Sequence, residues 1–125
     1  MGATKLIETE LFVTEPEAAV RLYRDILGVP LEGHAHAEGD PVHHHAAWGD
    51  WAAGADGFLL FSIYPAGPGE ATRSSLGFAV GDLDAAHRQL EAAGVKVIRS
   101  PETMPWGPSA TYEDADGNRL SLTQA

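Results

Sequence analysis

The sequence predicts an α+β fold of two tandem βαβββ modules whose mixed sheets form cups, and three observations carry that prediction. A strand, a helix cap, an amphipathic helix and a closing glycine follow one another around residues 6–28 and again around 76–94. Each unit is followed by enough chain for three further strands. Each last strand is entered through Asp-Gly, at Asp56-Gly57 and Asp116-Gly117, a dipeptide suited to tight hairpin turns. Duplication of one module is the simplest account of this order.

The first strand is Leu6 to Val13. It carries Ile7, Thr9, Leu11 and Val13 on one face and Glu8, Glu10 and Phe12 on the other. Thr14-Glu15-Pro16-Glu17 then reads as a capping box, with the Thr14 hydroxyl and the Glu17 carboxylate satisfying first-turn amides. Proline is tolerated there because those amides have no partner within the helix. The helix runs to about Leu27 with Ala19, Tyr23, Ile26 and Leu27 inward, and Gly28 ends it. In the second module Leu76 to Val80 is the strand and Asp82 the cap. Leu83, Ala86, Leu90 and Ala93 form the helical stripe, and Gly94 closes it. Module one spans about residues 4–66, a Pro- and Gly-rich linker about 65–72, and module two about 73–125.

The 125 residues suffice for one domain with its own core. Hydrophobic residues are 44 % and charged residues 21 %, an ordinary globular balance, and there is no cysteine, which excludes disulfides and thiolate chemistry. No basic, apolar leader opens the chain and no apolar run reaches membrane-spanning length, so a cytoplasmic protein is expected. The formal net charge of -10 argues against nucleic acid as a partner, and such a field attracts cationic ligands. Gly67-Pro68-Gly69 is followed by no Gly-Lys-Ser/Thr, and no serine sits in a nucleophile-elbow pattern.

Residues 13–28, with Tyr23-Arg24-Asp25-Ile26-Leu27-Gly28 at their end, resemble the opening of vicinal-oxygen-chelate proteins, the glyoxalase, bleomycin-resistance and extradiol dioxygenase superfamily. Phe78 to Ala86 with Leu90 to Val95 resembles the opening of that family's second module. Pro105-Trp106-Gly107 and Asp114 to Leu120 resemble its closing loop and hairpin. The resemblance implies a small-molecule cavity and a homodimer, but says little about activity, because this fold hosts lyases, dioxygenases, epimerases, thiol transferases and drug-binding proteins. It also implies a divalent metal held by one His, Glu or Gln on the first and last strand of each module. Here those positions fall on Glu8, Ser75 and Ser121, with the fourth among Leu60, Phe61 and Ser62. One good ligand in four does not hold a metal. The expectation is therefore no cofactor.

Three groups of residues remain as candidates. His34, His36, His43, His44 and His45 crowd one short region. With a turn at Gly39-Asp40, His36 opposes His43 and His34 opposes His45, which sets four imidazoles on one face. The His34/His36/His43/His45 quartet can bind a transition metal, relay protons or form a histidine-lined recognition surface. Trp48 and Trp51 flank Gly49-Asp50, and Trp106 sits in the Pro-Trp-Gly loop. With Phe12 and Tyr64 they suit stacking against flat or cationic molecules. Glu8 and Glu10 share a strand face, where like charges raise one pKa. The expected ligand-binding set is Glu8, Phe12, His43, His45, Trp48, Trp51, Tyr64 and Trp106. The expected function is metal-independent sequestration of an aromatic or cationic natural product, as in antibiotic resistance. The alternative is an enzyme of the same family, a lyase, isomerase or dioxygenase with a relocated His/Glu metal site or metal-free acid–base catalysis.

Overall fold

The computed structural model describes residues 6–35, 37–39, 41–51, 55–67 and 69–125. Strand β1 (Glu8–Val13) is followed by α1 (Pro16–Val20), which continues as a π-helical turn over Arg21–Ile26. Then come β2 (Glu32–His34), β3 (His43–Trp48) and β4 (Leu59–Pro65). The second module repeats the order with β5 (Ser75–Val80), α2 (Leu83–Ala92), β6 (Lys96–Met104), β7 (Gly107–Glu113) and β8 (Arg119–Gln124). The strands form two four-stranded mixed sheets, ordered β1-β4-β3-β2 and β5-β8-β7-β6. In each, the first strand runs parallel to the last, as β1 with β4 and β5 with β8, and the remaining pairs are antiparallel. The two βαβββ modules are present as the repeated pattern requires.

Alternation along the strands decides what each face buries. Leu11 and Val13 of β1, with Phe61 and Ile63 of β4, turn toward the helices and are fully buried. Leu120 and Leu122 of β8 do the same in the second module. These side chains join Tyr23, Leu83, Leu90 and Tyr112 in a single core drawn from both modules. Tyr23, Phe61 and Phe78 meet at the junction with ring centroids 5.8 to 6.1 Å apart. Phe61 is thus a core residue. Because the helix-side faces of both sheets share this core, the opposite faces both look outward.

The start of the first helix departs from the expected capping box. Glu15, not Thr14, occupies the cap position, and no side chain caps the helix. The Thr14 hydroxyl instead donates to Asp116 Oδ1 at 2.8 Å, and the Thr14 amide to Asp116 Oδ2 at 3.2 Å. The Asp-Gly hairpin of module two therefore holds the helix entrance of module one. The helix also loses α geometry at Arg21, with Leu27 N–H donating to the Leu22 carbonyl five residues back at 3.1 Å. Val20 and Leu22, outside the expected stripe, are buried along with the expected Tyr23, whereas Ile26 and Leu27 are only partly buried. The second helix follows its pattern. Asp82 accepts from the Ala85 amide at 3.0 Å, although Ala93 is exposed rather than inward. Gly28 and Gly94 close the two helices with φ of 80° and 78°, a backbone only glycine adopts without strain.

Candidate functional site

The outer face of the first sheet collects most of the chemistry-bearing side chains. β1 contributes Glu8, Glu10 and Phe12, which pair in register with Leu60, Ser62 and Tyr64 of β4. β3 adds His45, paired with Ser62, and His43. β2 adds His34 and Glu32, opposite His43 and His45. The hairpin register is thus displaced by two residues from the one expected: His34 opposes His43, and Glu32 opposes His45. A shift of two preserves the face, so the imidazoles stay together while their partners change. His36 and Asp40 lie outside the described residues.

These rings form a continuous row. Phe12 stacks on Tyr64 with centroids 5.4 Å apart, and Tyr64 stacks on His43 at 4.6 Å. His43 and His45 meet edge to face at 5.5 Å, and His34 completes a triangle with them at 5.3 and 5.5 Å. His45 meets Trp51 at 5.6 Å, and Trp51 meets Phe58 at 5.7 Å. His43 is buried within the row, whereas Trp51 is 63 % exposed and offers an open face.

Two expected members stand apart. Trp48 pairs with Leu59, and alternation from His45 and Ala47 sets it on the helix side of the sheet, at its rim. Trp106 caps the β6–β7 turn in the other module, 61 % exposed. Glu8, Phe12, His43, His45, Trp51 and Tyr64 share one surface; Trp48 and Trp106 do not join it.

Carboxylates border the row. Glu8 hydrogen-bonds Glu10 and, together with burial and its own charge, holds the Glu10 carboxyl above the usual range. Burial, then the charges of Glu10 and Glu8, push the Tyr64 phenol up, although Ser62 hydrogen-bonds that phenol and opposes the shift. This end of the face therefore keeps a proton on Tyr64 and favours one on the acid pair.

The corresponding face of module two lacks the rings and acid pair of β1 and β4, and Arg119 stands where Leu60 does. Each parallel pair has six rungs, so Glu8, Glu10 and Phe12 correspond to Ser75, Gly77 and Ala79, and Ser62 and Tyr64 to Ser121 and Thr123. The missing fourth metal position is thereby Ser62. One carboxylate and three serine hydroxyls do not suit a divalent transition ion, and no step is routed through one. Among the described residues, no three His, Asp or Glu side chains are grouped to hold a metal ion. A polar feature of this second face was not legible from spacing. Arg99 donates to the Ser109 carbonyl at 3.1 Å and reaches the Ser109 and Thr111 hydroxyls at 3.3 and 3.4 Å. An irregularity in β6 on both sides of Arg99 defeats simple alternation there.

In a single chain the outer face is open. The described residues define a cavity of about 520 Å³ between the first helix and module two, and another of about 820 Å³ along the same helix beside Val42 and His44. No helix among the described residues is long and apolar enough to cross a membrane.

The tandem βαβββ fold, with two four-stranded mixed sheets, defines a class of small two-module domains. Residues 5–122 match the Glyoxalase/Bleomycin resistance protein/Dioxygenase superfamily, and the chain belongs to that family. Among solved structures, it is similar to TnmS3, an antibiotic binding protein from Streptomyces sp. CB03234, at 25% identity and a TM-score of 0.69, covering 99% of this chain and 98% of that one. A family member from Sphaerobacter thermophilus DSM 20745 shares 22% identity with a TM-score of 0.65, covering 98% of each chain. TioX from Micromonospora sp. ML1 shares 18% identity with a TM-score of 0.65, covering 97% of this chain and 98% of that one. No curated protein matches the chain.

Proposed function

We propose that this protein binds a flat aromatic small molecule on the outer face of its first sheet and holds it chemically unchanged, without a metal, as an antibiotic-sequestering protein does. The observation that carries this reading is the row Phe12–Tyr64–His43–His45–Trp51. Rings fixed by their neighbours offer large contact area at low entropic cost. The adjoining Glu8–Glu10 pair and the net charge of -10 favour a ligand that carries positive charge. The likeness to TnmS3, described as an antibiotic binding protein, supports the same class of ligand.

The reading includes a homodimer. An open row of rings needs a second wall to exclude water, and the small side chains Ser75, Gly77 and Ala79 of a second copy leave room for a ligand between them and the rings. The test is quenching of tryptophan fluorescence by a panel of polycyclic aromatic antibiotics, with mass spectrometry of the recovered ligand. Saturable quenching with an unchanged mass is expected. Absence of quenching by every member removes the reading.

A second reading has one observation in its favour. The raised Glu10 carboxyl beside Glu8 is the arrangement of a metal-free general acid–base pair. A ligand recovered with altered mass, and unaltered with Glu10→Gln, selects that reading over sequestration.

A further inference from the structure

We propose that the cavity between the first helix and module two is a second binding site, distinct from the ring-lined face, for a singly charged cationic amphiphile. Its volume of about 520 Å³ is that of a pocket for a drug-sized molecule. Its floor is apolar, built from Ala19, Leu22 and Ile26 of the helix and Val95 from the turn after α2. Small side chains at Ala18 and Ala93 leave the space that larger ones would fill.

A second observation marks the same wall. Arg21, Leu22, Asp25 and Ile26, all lining the cavity, belong to the π-helical turn. Such turns forgo regular helix geometry and occur disproportionately at functional sites. Here the turn carries Leu22 onto the cavity floor while its neighbour Tyr23 reaches through the core to Asp114.

Charge selects the occupant. Lys96 and Glu113 neutralise one another across the rim at 3.2 Å, and Asp25 is paired with Arg24 at 2.9 Å. Among the described residues, Asp114 and Asp116 form no ion pair and accept from neutral groups: the Tyr23 hydroxyl, the Asp116 amide and Asn118 for the first, Thr14 for the second. With Glu15 they outnumber Arg21, which forms no ion pair within 4.0 Å among the described residues. An apolar body therefore fits the floor and one ammonium group fits the rim, whereas an anion meets net repulsion.

The test titrates the full-length protein with dansylcadaverine (cationic) and, separately, 1-anilinonaphthalene-8-sulfonate (anionic), following backbone amide shifts by NMR. Dansylcadaverine should move the amides of Leu22, Ile26 and Val95. Its affinity there should exceed that of the anion by at least about tenfold, about 1.4 kcal/mol. Ala93→Phe, placed on an exposed α2 terminus, should fill the cavity and weaken cation binding at least tenfold. Ser100→Ala, exposed on β6 and outside the cavity lining, should leave it unchanged. Glu15→Gln removes one rim charge without touching the core and should weaken binding about threefold. Shifts confined to residues around Tyr64 and His43, equal affinity for the two probes, or full binding in both the Ala93→Phe and Glu15→Gln proteins would each overturn the proposal. None of these outcomes decides the role of the ring row, which Tyr64→Ala probes independently.

Discussion

The His43 imidazole lies face to face on the Tyr64 phenol, with centroids 4.6 Å apart and planes 13° from parallel. Phe12 covers the neighbouring side of Tyr64 at 5.4 Å. Tyr64 is therefore fixed before any ligand arrives, and little rotamer freedom is left to lose on binding. Tyr64→Ala removes the middle of the row and should weaken an aromatic ligand at least about tenfold. Tyr64→Phe keeps the ring and should retain most of the affinity. Titration of the two variants side by side checks this; equal weakening would assign the effect to the hydroxyl instead.

Trp51 is the exposed end of the same row, against His45 and Phe58. Trp48 sits across the sheet and Trp106 in the other module. A ligand on the rings should therefore quench Trp51 above all. Trp51→Phe is expected to remove most of the ligand-dependent signal, and Trp48→Phe to leave it nearly intact. A signal lost with Trp48 and kept without Trp51 would place the ligand on the helix side of the sheet.

The fold was legible because its signals are local and repeated. Leu11 and Val13 alternate with Glu10 and Phe12, Asp82 caps its own helix, and Gly57 and Gly117 take φ of 76° and 92° in their turns. The candidate site was legible by face, since a period of two fixes which side chains look outward from β1 and β4. What escaped depends on distant groups. Thr14 and Glu17 carry a capping-box pattern, yet Asp116, 102 residues away, takes the Thr14 hydroxyl. The π-helical turn at Arg21 has no marker in hydrophobic spacing. Trp48 reads as a pocket residue beside glycine, and only the strand register assigns it to the opposite face.

Glu10 gives a pH dependence with a definite sign. Glu8 and burial raise its folded pKa, so the folded state binds its proton more tightly than the unfolded chain does. The stabilisation is complete below the unfolded value and is lost as pH rises through the raised folded one. Glu10→Gln should therefore stabilise the protein near pH 7, by roughly 0.2–1 kcal/mol for a pair at a surface. Near pH 3, where the parent carboxyl is already neutral, it should do little. Thermal unfolding at the two pH values measures the difference, and equal gains at both would deny the pairing with Glu8.

His44 titrates with the opposite dependence. Burial first, then the charges of Arg24 and His45, lower its pKa below the ordinary imidazole value. The unfolded chain takes up the proton more readily, so this contribution is present above the unfolded pKa and declines as pH falls below it. His44→Gln should flatten the loss of stability as pH falls below about 6.5. An unchanged slope in denaturant unfolding across that window would show that other groups set it.

Two aspartates of one hairpin tie the modules together, and their removal should be felt unequally. Asp116 accepts from Thr14 at an exposed site, so Asp116→Ala should cost about 1 kcal/mol, as for loss of a helix-entrance acceptor. Asp114 accepts from the Tyr23 hydroxyl at 2.8 Å and also organises the turn through the Asp116 and Asn118 amides and the Asn118 side chain. Asn118 is fully buried and accepts from the Ser74 amide at 2.7 Å, so the same network fixes the entrance to β5. Asp114→Ala leaves several polar groups without an acceptor at once and should cost well over twice as much as Asp116→Ala. Tyr23→Phe removes one bond to a charged acceptor and keeps the ring against Phe61 and Phe78, an intermediate loss of about 1.5–3 kcal/mol. Urea unfolding of the three variants orders them. If Asp114→Ala proved no worse than Asp116→Ala, the shared core rather than this hairpin would be what joins the two modules.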